Sequence, residues 1–189
     1  MKEIRTILQE THLPIYSLKD LWIDVVPVED GQTFEENALI KAKTIHNLFP
    51  DDIVLADDSG IEVDYLNGEP GVQSAYFGGQ NTPYDIRNQF LLKLLKDAKD
   101  DERSARFVCV IAAVFPDGTS ATTRASFEGC IATEPKGENG FGYDPIFYVP
   151  EYHCTSAEMS EDLKNELSHR GKALRKMADI VLEQIEDRY

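Results

Sequence analysis

Three groups of side chains in this sequence are of types that do chemistry. The first is acidic: Asp57 and Asp58 are neighbours in Leu55-Ala56-Asp57-Asp58-Ser59-Gly60, and Glu29 opens the polar run Glu29-Asp30-Gly31-Gln32. Adjacent carboxylates repel, so at least one of them needs a cation, a donor or a proton nearby. Oxygen ligands of this kind suit Mg²⁺, and no Cys/His cluster suited to zinc accompanies them. The second group is basic: Lys41, Lys164, His169 and Arg170 are donors of the kind that phosphates require. The third is the loop Lys136-Gly137-Glu138-Asn139-Gly140-Phe141-Gly142-Tyr143-Asp144. Its glycines let backbone approach a ligand closely, Phe141 offers a ring for stacking on a base, and the loop can accept hydrogen bonds from the base edge. Together the three sets point to a Mg²⁺-bound nucleoside triphosphate. Each alone has an ordinary explanation: solvated carboxylates, cations at a helix end, a glycine turn. His169 reads as a cap, a core residue or a donor to base or phosphate, and it is given no role in proton transfer.

Positioning these groups falls to a small set of elements. The apolar run Ile53-Val54-Leu55-Ala56 reads as a buried strand that ends at the Asp pair and bends through Gly60. Thr33 to Leu48 reads as a helix capped by Thr33, with Glu36 completing a capping box and Phe34, Ala38, Ala42 and Ile45 forming its apolar stripe. Asn37 and Lys41 share another face, beside the Asp pair if this helix packs next to that strand. Lys2 to Glu10 is expected to be helical, followed by strand-like runs at 13–17 and 21–28. Ile61, Val63 and Tyr65 alternate with acids as a half-exposed strand, and Asn67 to Gly71 is a turn. Thr82-Pro83 opens a helix that turns Ile86, Phe90, Leu94 and Leu95 inward. Phe107–Phe115 and a returning strand at 119–127 form a hairpin through Pro116-Asp117-Gly118, and 146–149 is a short strand. Helices are expected at 160–167 and 171–185, with Ser168-His169-Arg170 between them.

The chain has 189 residues, room for one domain with a sizeable core. A formal charge of −15 argues against nucleic acid polymers, which need basic surface. No apolar run is long enough to span a bilayer, and no secretion signal opens the chain. Three cysteines without metal spacing read as reduced cytosolic thiols. Interleaved helices and strands with hairpins give an α/β to α+β class with a mixed, largely antiparallel sheet flanked by helices.

Five motifs carry a resemblance to a known family. They are Gly31-Gln32-Thr33-Phe34-Glu35-Glu36-Asn37-Ala38 with Lys41-Ala42, Ala56-Asp57-Asp58-Ser59-Gly60, Pro70-Gly71-Val72-Gln73-Ser74-Ala75, Phe141-Gly142-Tyr143-Asp144-Pro145, and Ser168-His169-Arg170-Gly171-Lys172-Ala173-Leu174. In this order they resemble the inosine triphosphate pyrophosphatase family, which hydrolyses deaminated purine nucleoside triphosphates. The resemblance implies an elongated mixed-sheet fold of two lobes around a nucleotide cleft, a homodimer, and a cytoplasmic location. It implies that Asp58 is the catalytic base, that Glu29 and Asp58 hold Mg²⁺, and that Ser59 and Lys41 hold phosphate. Phe141 would stack on the base with Gly142, Tyr143 and Asp144 around it, while Lys164, His169 and Arg170 complete the purine pocket. The implied reaction is water attack on the α-phosphorus of ITP, dITP or XTP, giving monophosphate and pyrophosphate.

The sequence departs from the family pattern twice. The family begins with a strand and a Ser/Thr-x-Asn-x-x-Lys phosphate loop, so residues 1–189 are expected to be a single such domain truncated at its N-terminus. Tyr76 stands where the family usually has Arg. Two other readings therefore stay open, a nucleotide-binding remnant without turnover and a related pyrophosphatase acting on modified pyrimidine triphosphates.

Overall fold

A computed structural model describes residues 2–186. In chain order its elements are α1 (Lys2–Leu8), α2 (Phe34–His46), β1 (Val54–Val63), α3 (Tyr84–Leu94), β2 (Ser104–Val114), β3 (Ser120–Ile131), β4 (Phe147–Val149), β5 (Cys154–Thr155), α4 (Glu161–Leu167) and α5 (His169–Glu186). The strands form one antiparallel open sheet in the order β1-β2-β3-β4-β5. This is the mixed α/β class expected, with a short final strand, β5, that periodicity did not reveal. The described residues up to Asp58, Cys109–Ala125 and the described residues from His169 onward pack as one compact unit; Ser59–Val108 and Ser126–Ser168 pack as a second. Strands β1, β2 and β3 each contribute to both.

In the first unit, residues 109–114 of β2 are buried without interruption, the pattern of a strand covered on both faces. Cys109, Ile111, Ala113 and Phe115 pack with Ala173, Leu174, Met177 and Val181 of α5, and Leu55, Ile4 and Ile7 join this cluster. Helix α2 buries Phe34, Ala38, Ala42 and Ile45 as its stripe requires, and Asn37 with them. Its start is the expected one, for Thr33 Oγ1 accepts from the Glu36 amide at 3.1 Å. Glu36 reaches back to the Gln32 amide at 2.6 Å, one residue before the usual capping-box partner.

The second unit is built around Ile61, Val63, Leu91, Leu95, Phe127, Ile131, Ile146 and Phe147. Phe147 is the hub, with the Phe107 and Phe127 rings 4.4 and 5.4 Å away. Irregular chain here is tied down by buried arginines. Arg103 donates to the carbonyls of Ile131, Leu95 and Ala132 at 2.7, 2.7 and 2.8 Å. Tyr143 belongs to the same core, and its hydroxyl donates to the Ser74 carbonyl at 2.8 Å.

Four expectations need correction. Residues 13–17 and 21–28 form no strand, since alternation needs a neighbour to complete a ladder. Instead the amide and hydroxyl of Ser17 both donate to Asp20 at 2.8 Å, and Ile23 N returns to Leu18 O at 2.9 Å. The chain curls there, with Trp22 at φ 56° and 95% exposed. Second, the Asp pair does not end a strand: Asp57 to Gly60 lie inside β1, and the chain leaves the strand only after Val63. Third, α3 starts after Pro83 with no side-chain cap, and its inward face is Arg87, Asn88 and Leu91, with Ile86, Phe90 and Leu94 partly in solvent. The polar inward residues hold neighbouring loops, which is why an apolar periodicity misplaced that face. Fourth, α5 begins at His169, so His169 and Arg170 are its first turn and not a linker.

Thr33→Ala should cost about 1 kcal/mol in chemical denaturation, and Thr33→Ser much less. Tyr143 supplies a pH test. Burial, with the Tyr84 phenol beside it and only partly offset by Arg87, pushes its hydroxyl up to about 12. Its proton is held more tightly in the folded state, so this contribution to stability is complete below the ordinary pKa of about 10 and is lost as pH rises through about 12. Ultraviolet titration of the eight tyrosines should show one late-ionising phenol that Tyr143→Phe removes.

Candidate functional site

The acidic residues are organised by Lys41. Its Nζ donates to Asp58 Oδ1 at 2.8 Å and to Glu29 Oε2 at 3.2 Å. Helix α2 supplies Lys41, β1 supplies Asp58, and Glu29 comes from the segment before the helix. That segment is pinned because Asn37, one turn before Lys41, accepts from the Gly31 amide at 2.9 Å. Burial raises the proton affinity of Asp58; Lys41 works against this, and Glu29 adds to it. Burial alone would lower the affinity of Lys41, but the hydrogen bonds it donates to Asp58 and Glu29, with their negative charge, outweigh it and the ammonium is held protonated above its ordinary range. Two carboxylates face a single ammonium, so the cluster carries excess negative charge.

Glu29 and Asp58 could hold a divalent cation. Among the described residues, no three His, Cys, Asp or Glu side chains form a metal-ligating group. An oxygen pair still fits Mg²⁺, which commonly takes one or two carboxylates and completes its octahedron with water and substrate phosphate. The Ser59 hydroxyl, next along β1, is shut from solvent without a hydrogen-bond partner among the described residues.

Asp57 has a different neighbour. Its Oδ2 accepts from Arg170 Nη2 at 2.8 Å. Successive strand residues point to opposite faces, so the two adjacent carboxylates never share a pocket. Each has its own cation, Lys41 from α2 or Arg170 from α5. His169, the first residue of α5, precedes Arg170.

The glycine-rich loop is organised by Asp144, which is almost wholly buried. Its Oδ1 accepts from Ser156 Oγ at 2.8 Å, and its Oδ2 accepts from the Phe141 amide at 2.7 Å and from Lys164 Nζ. Lys164 Nζ also lies 5.1 Å from the centroid of Phe141, whose ring is 76% exposed. Gly140 is required here. A Cβ on it would collide with the Asp144 carboxylate and the Lys164 ammonium, and its φ of 77° disfavours any other residue. A charged pair is thus held beneath an exposed ring, which suits a flat heteroaromatic group with polar edges.

The sequence-predicted residues therefore fall into sets within each unit. Glu29, Lys41 and Asp58 meet in the first unit, where Arg170 meets Asp57; Phe141, Gly142, Tyr143, Asp144 and Lys164 meet in the second. The cations do not converge as a free group, since Lys41, Arg170 and Lys164 each rest on an acid. Sequence reasoning missed the Asp57–Arg170 pair, which β-alternation could have suggested. It also missed Ser156 and the buried Asn88 and Arg87 of α3, for which no local signal exists. Cys109, Cys130 and Cys154 form no disulfide among the described residues, and burial pushes Cys130 and Cys154 up, away from the reactive thiolate form.

Known proteins share this architecture. A dITP/XTP pyrophosphatase of Clostridium perfringens is 48% identical over 184 residues, covering 95% of this chain and 90% of that protein. A dITP/XTP pyrophosphatase of Desulforamulus reducens is 46% identical over 181 residues, covering 96% and 90%. Among solved structures, a HAM1 protein from Coxiella burnetii superposes with a TM-score of 0.88 at 38% identity, covering 96% of this chain and 92% of that one. The Staphylococcus aureus Ham1 protein gives a TM-score of 0.87 at 37% identity, covering 97% and 93%. With the Ham1 family model matching residues 1–180 as well, the chain belongs to the Ham1 family.

Proposed function

We propose that this protein is a nucleoside triphosphate pyrophosphatase that hydrolyses deaminated purine nucleotides, dITP, XTP and ITP, to the monophosphate and pyrophosphate, and so clears them from the nucleotide pool. The observation that carries this reading is Lys41 lying between Glu29 and Asp58. An acidic pair, Asp58 buried and Glu29 exposed, with one ammonium suits a polyanion that arrives with its own divalent cation. The names of the relatives supply the substrate class, dITP and XTP.

Glu29 and Asp58 would hold Mg²⁺, which supplies charge neutralisation of the phosphates when bound. Asp58 orients the attacking water and takes its proton, a task favoured by a carboxyl whose proton affinity burial has raised. The water oxygen bonds to the α-phosphorus, the bond to the bridging oxygen breaks, and pyrophosphate leaves. Lys41 steadies Asp58 and donates to phosphate oxygen, and Ser59 has a buried hydroxyl to offer. Base recognition falls to Phe141 by stacking and to Asp144 and Lys164 at the base edge; in the first unit, His169 and Arg170 are donors for the nucleotide. A pocket that hydrogen-bonds a 6-oxo purine leaves groups unpaired with adenine, which is the physical basis of discrimination.

The deciding experiment measures pyrophosphate release from dITP, XTP, ITP and dATP, with Mg²⁺ and after chelation. Release from the deaminated nucleotides, far above dATP and abolished by chelation, is expected. No release from dITP, XTP or ITP, or an equal rate with dATP, overturns the reading. The neighbouring acids should respond differently. Asp58→Asn is expected to lower kcat by about 10²-fold or more, the scale of a general base. Asp57→Asn, which loosens Arg170 only, should raise KM a few-fold, roughly, with kcat little changed.

A further inference from the structure

Helix α3 offers a polar side chain that the proposed chemistry does not use. Asn88 is 4% exposed, and its Nδ2 donates to the Gly142 carbonyl at 3.1 Å. Its Oδ1 is shut from solvent and has no hydrogen-bond partner among the described residues. Burying an unpaired amide oxygen destabilises a fold, and one neutral hydrogen bond offsets only part of that cost. An apolar residue of similar volume would suit this position better if stability were the sole requirement.

The bond acts inside the turn that the Asp144 amide closes by donating to the Phe141 carbonyl at 3.3 Å. Gly142 adopts φ 68°, and glycine backbone is soft in both dihedrals. On one side of it the Phe141 amide is held by Asp144, and on the other the Tyr143 hydroxyl is held by the Ser74 carbonyl. Asn88 fixes the peptide between these two anchors. Tyr84, one turn earlier on α3, meets the Tyr143 ring edge-on at 5.5 Å and 86°. The Arg87 guanidinium covers the Tyr84 ring at 5.0 Å and binds the carbonyls of Thr82, Ser74, Ala75 and Gly79. The Phe141 ring is mostly in solvent, so backbone anchors, rather than packing, set its direction.

We infer that Asn88 is a positioning residue for base binding: it fixes the Gly142 peptide so that Phe141 is presented for stacking before the nucleotide arrives. The inference rests on the reading of this loop as the base site. Ordering the loop in advance removes an entropic cost from binding, so its loss belongs in KM rather than in kcat. Stacking accepts any purine face, so dITP and XTP should be affected alike.

The test compares the parent protein with Asn88→Leu and Asn88→Ala, reading melting temperature, steady-state kinetics on dITP and XTP, and amide hydrogen exchange without nucleotide. Asn88→Leu is expected to melt at or above the parent while KM for both nucleotides rises about tenfold and kcat stays within about twofold, one hydrogen bond being worth roughly that factor. Exchange should quicken at residues 141–143 in both variants, with α3 unchanged in Asn88→Leu. An unchanged KM in an active protein overturns the inference, as does a fall in melting temperature and kcat together at constant KM. If the parent hydrolyses neither nucleotide, the proposed function fails separately, and unchanged exchange at 141–143 overturns the anchoring role regardless.

Discussion

Two carboxylates that follow one another in the chain would repel if they shared a pocket, and the pleat of β1 keeps them apart. Asp58 turns to Lys41 and Asp57 to Arg170, so each acid has a cation and neither needs to be neutralised by the other's proton. Much of the first unit follows from this constraint. Helix α2 must start where Thr33 caps it so that Lys41 falls beside Asp58, and Asn37 must hold Gly31 so that Glu29 reaches the same ammonium. α5 must begin at His169 so that its first turn delivers Arg170 to the other face. The arrangement leaves two carboxylates, one buried at Asp58 and one exposed at Glu29, facing a single ammonium.

The second unit solves a different problem. Long irregular segments carry carbonyls that no strand satisfies, and buried backbone groups need partners. Arginine side chains with several donors serve here: Arg103 binds three carbonyls around the end of β3, and Arg87 binds the turn after Ser74. Asp144 does the complementary job for amide, hydroxyl and ammonium donors at the glycine-rich loop. With its backbone fixed from below, that loop can leave a bare phenyl ring in solvent without becoming shapeless.

Legibility in the sequence followed the range of the interaction. The cap at Thr33, the apolar stripe of α2, the hairpin through Gly118 and the start of α4 at Ser160 are local devices, and each lies where its residues indicate. The face of α3 escapes periodicity because its buried positions, Arg87 and Asn88, answer to loop carbonyls, those of the preceding turn for Arg87 and that of Gly142 for Asn88, and not to hydrophobic period. Leu13 to Val28 was misread for the opposite reason. Its apolar alternation imitates a strand, yet no ladder partner is present among the described residues.

What the sequence by itself determined was the inventory: oxygen ligands, ammonium and guanidinium donors, a stacking ring, and the glycines that leave room for them. Those are properties of residue type, and they mark the chemistry before any fold is known. Only the tertiary structure decided the pairing. Whether Asp57 faces Lys41 or Arg170 depends on which side of a continuous strand it leaves, and β1 was expected to end where it in fact runs on. Hydrogen bonds and ion pairs between residues distant in the chain depend on angle and distance set by packing, and no spacing along the sequence encodes them.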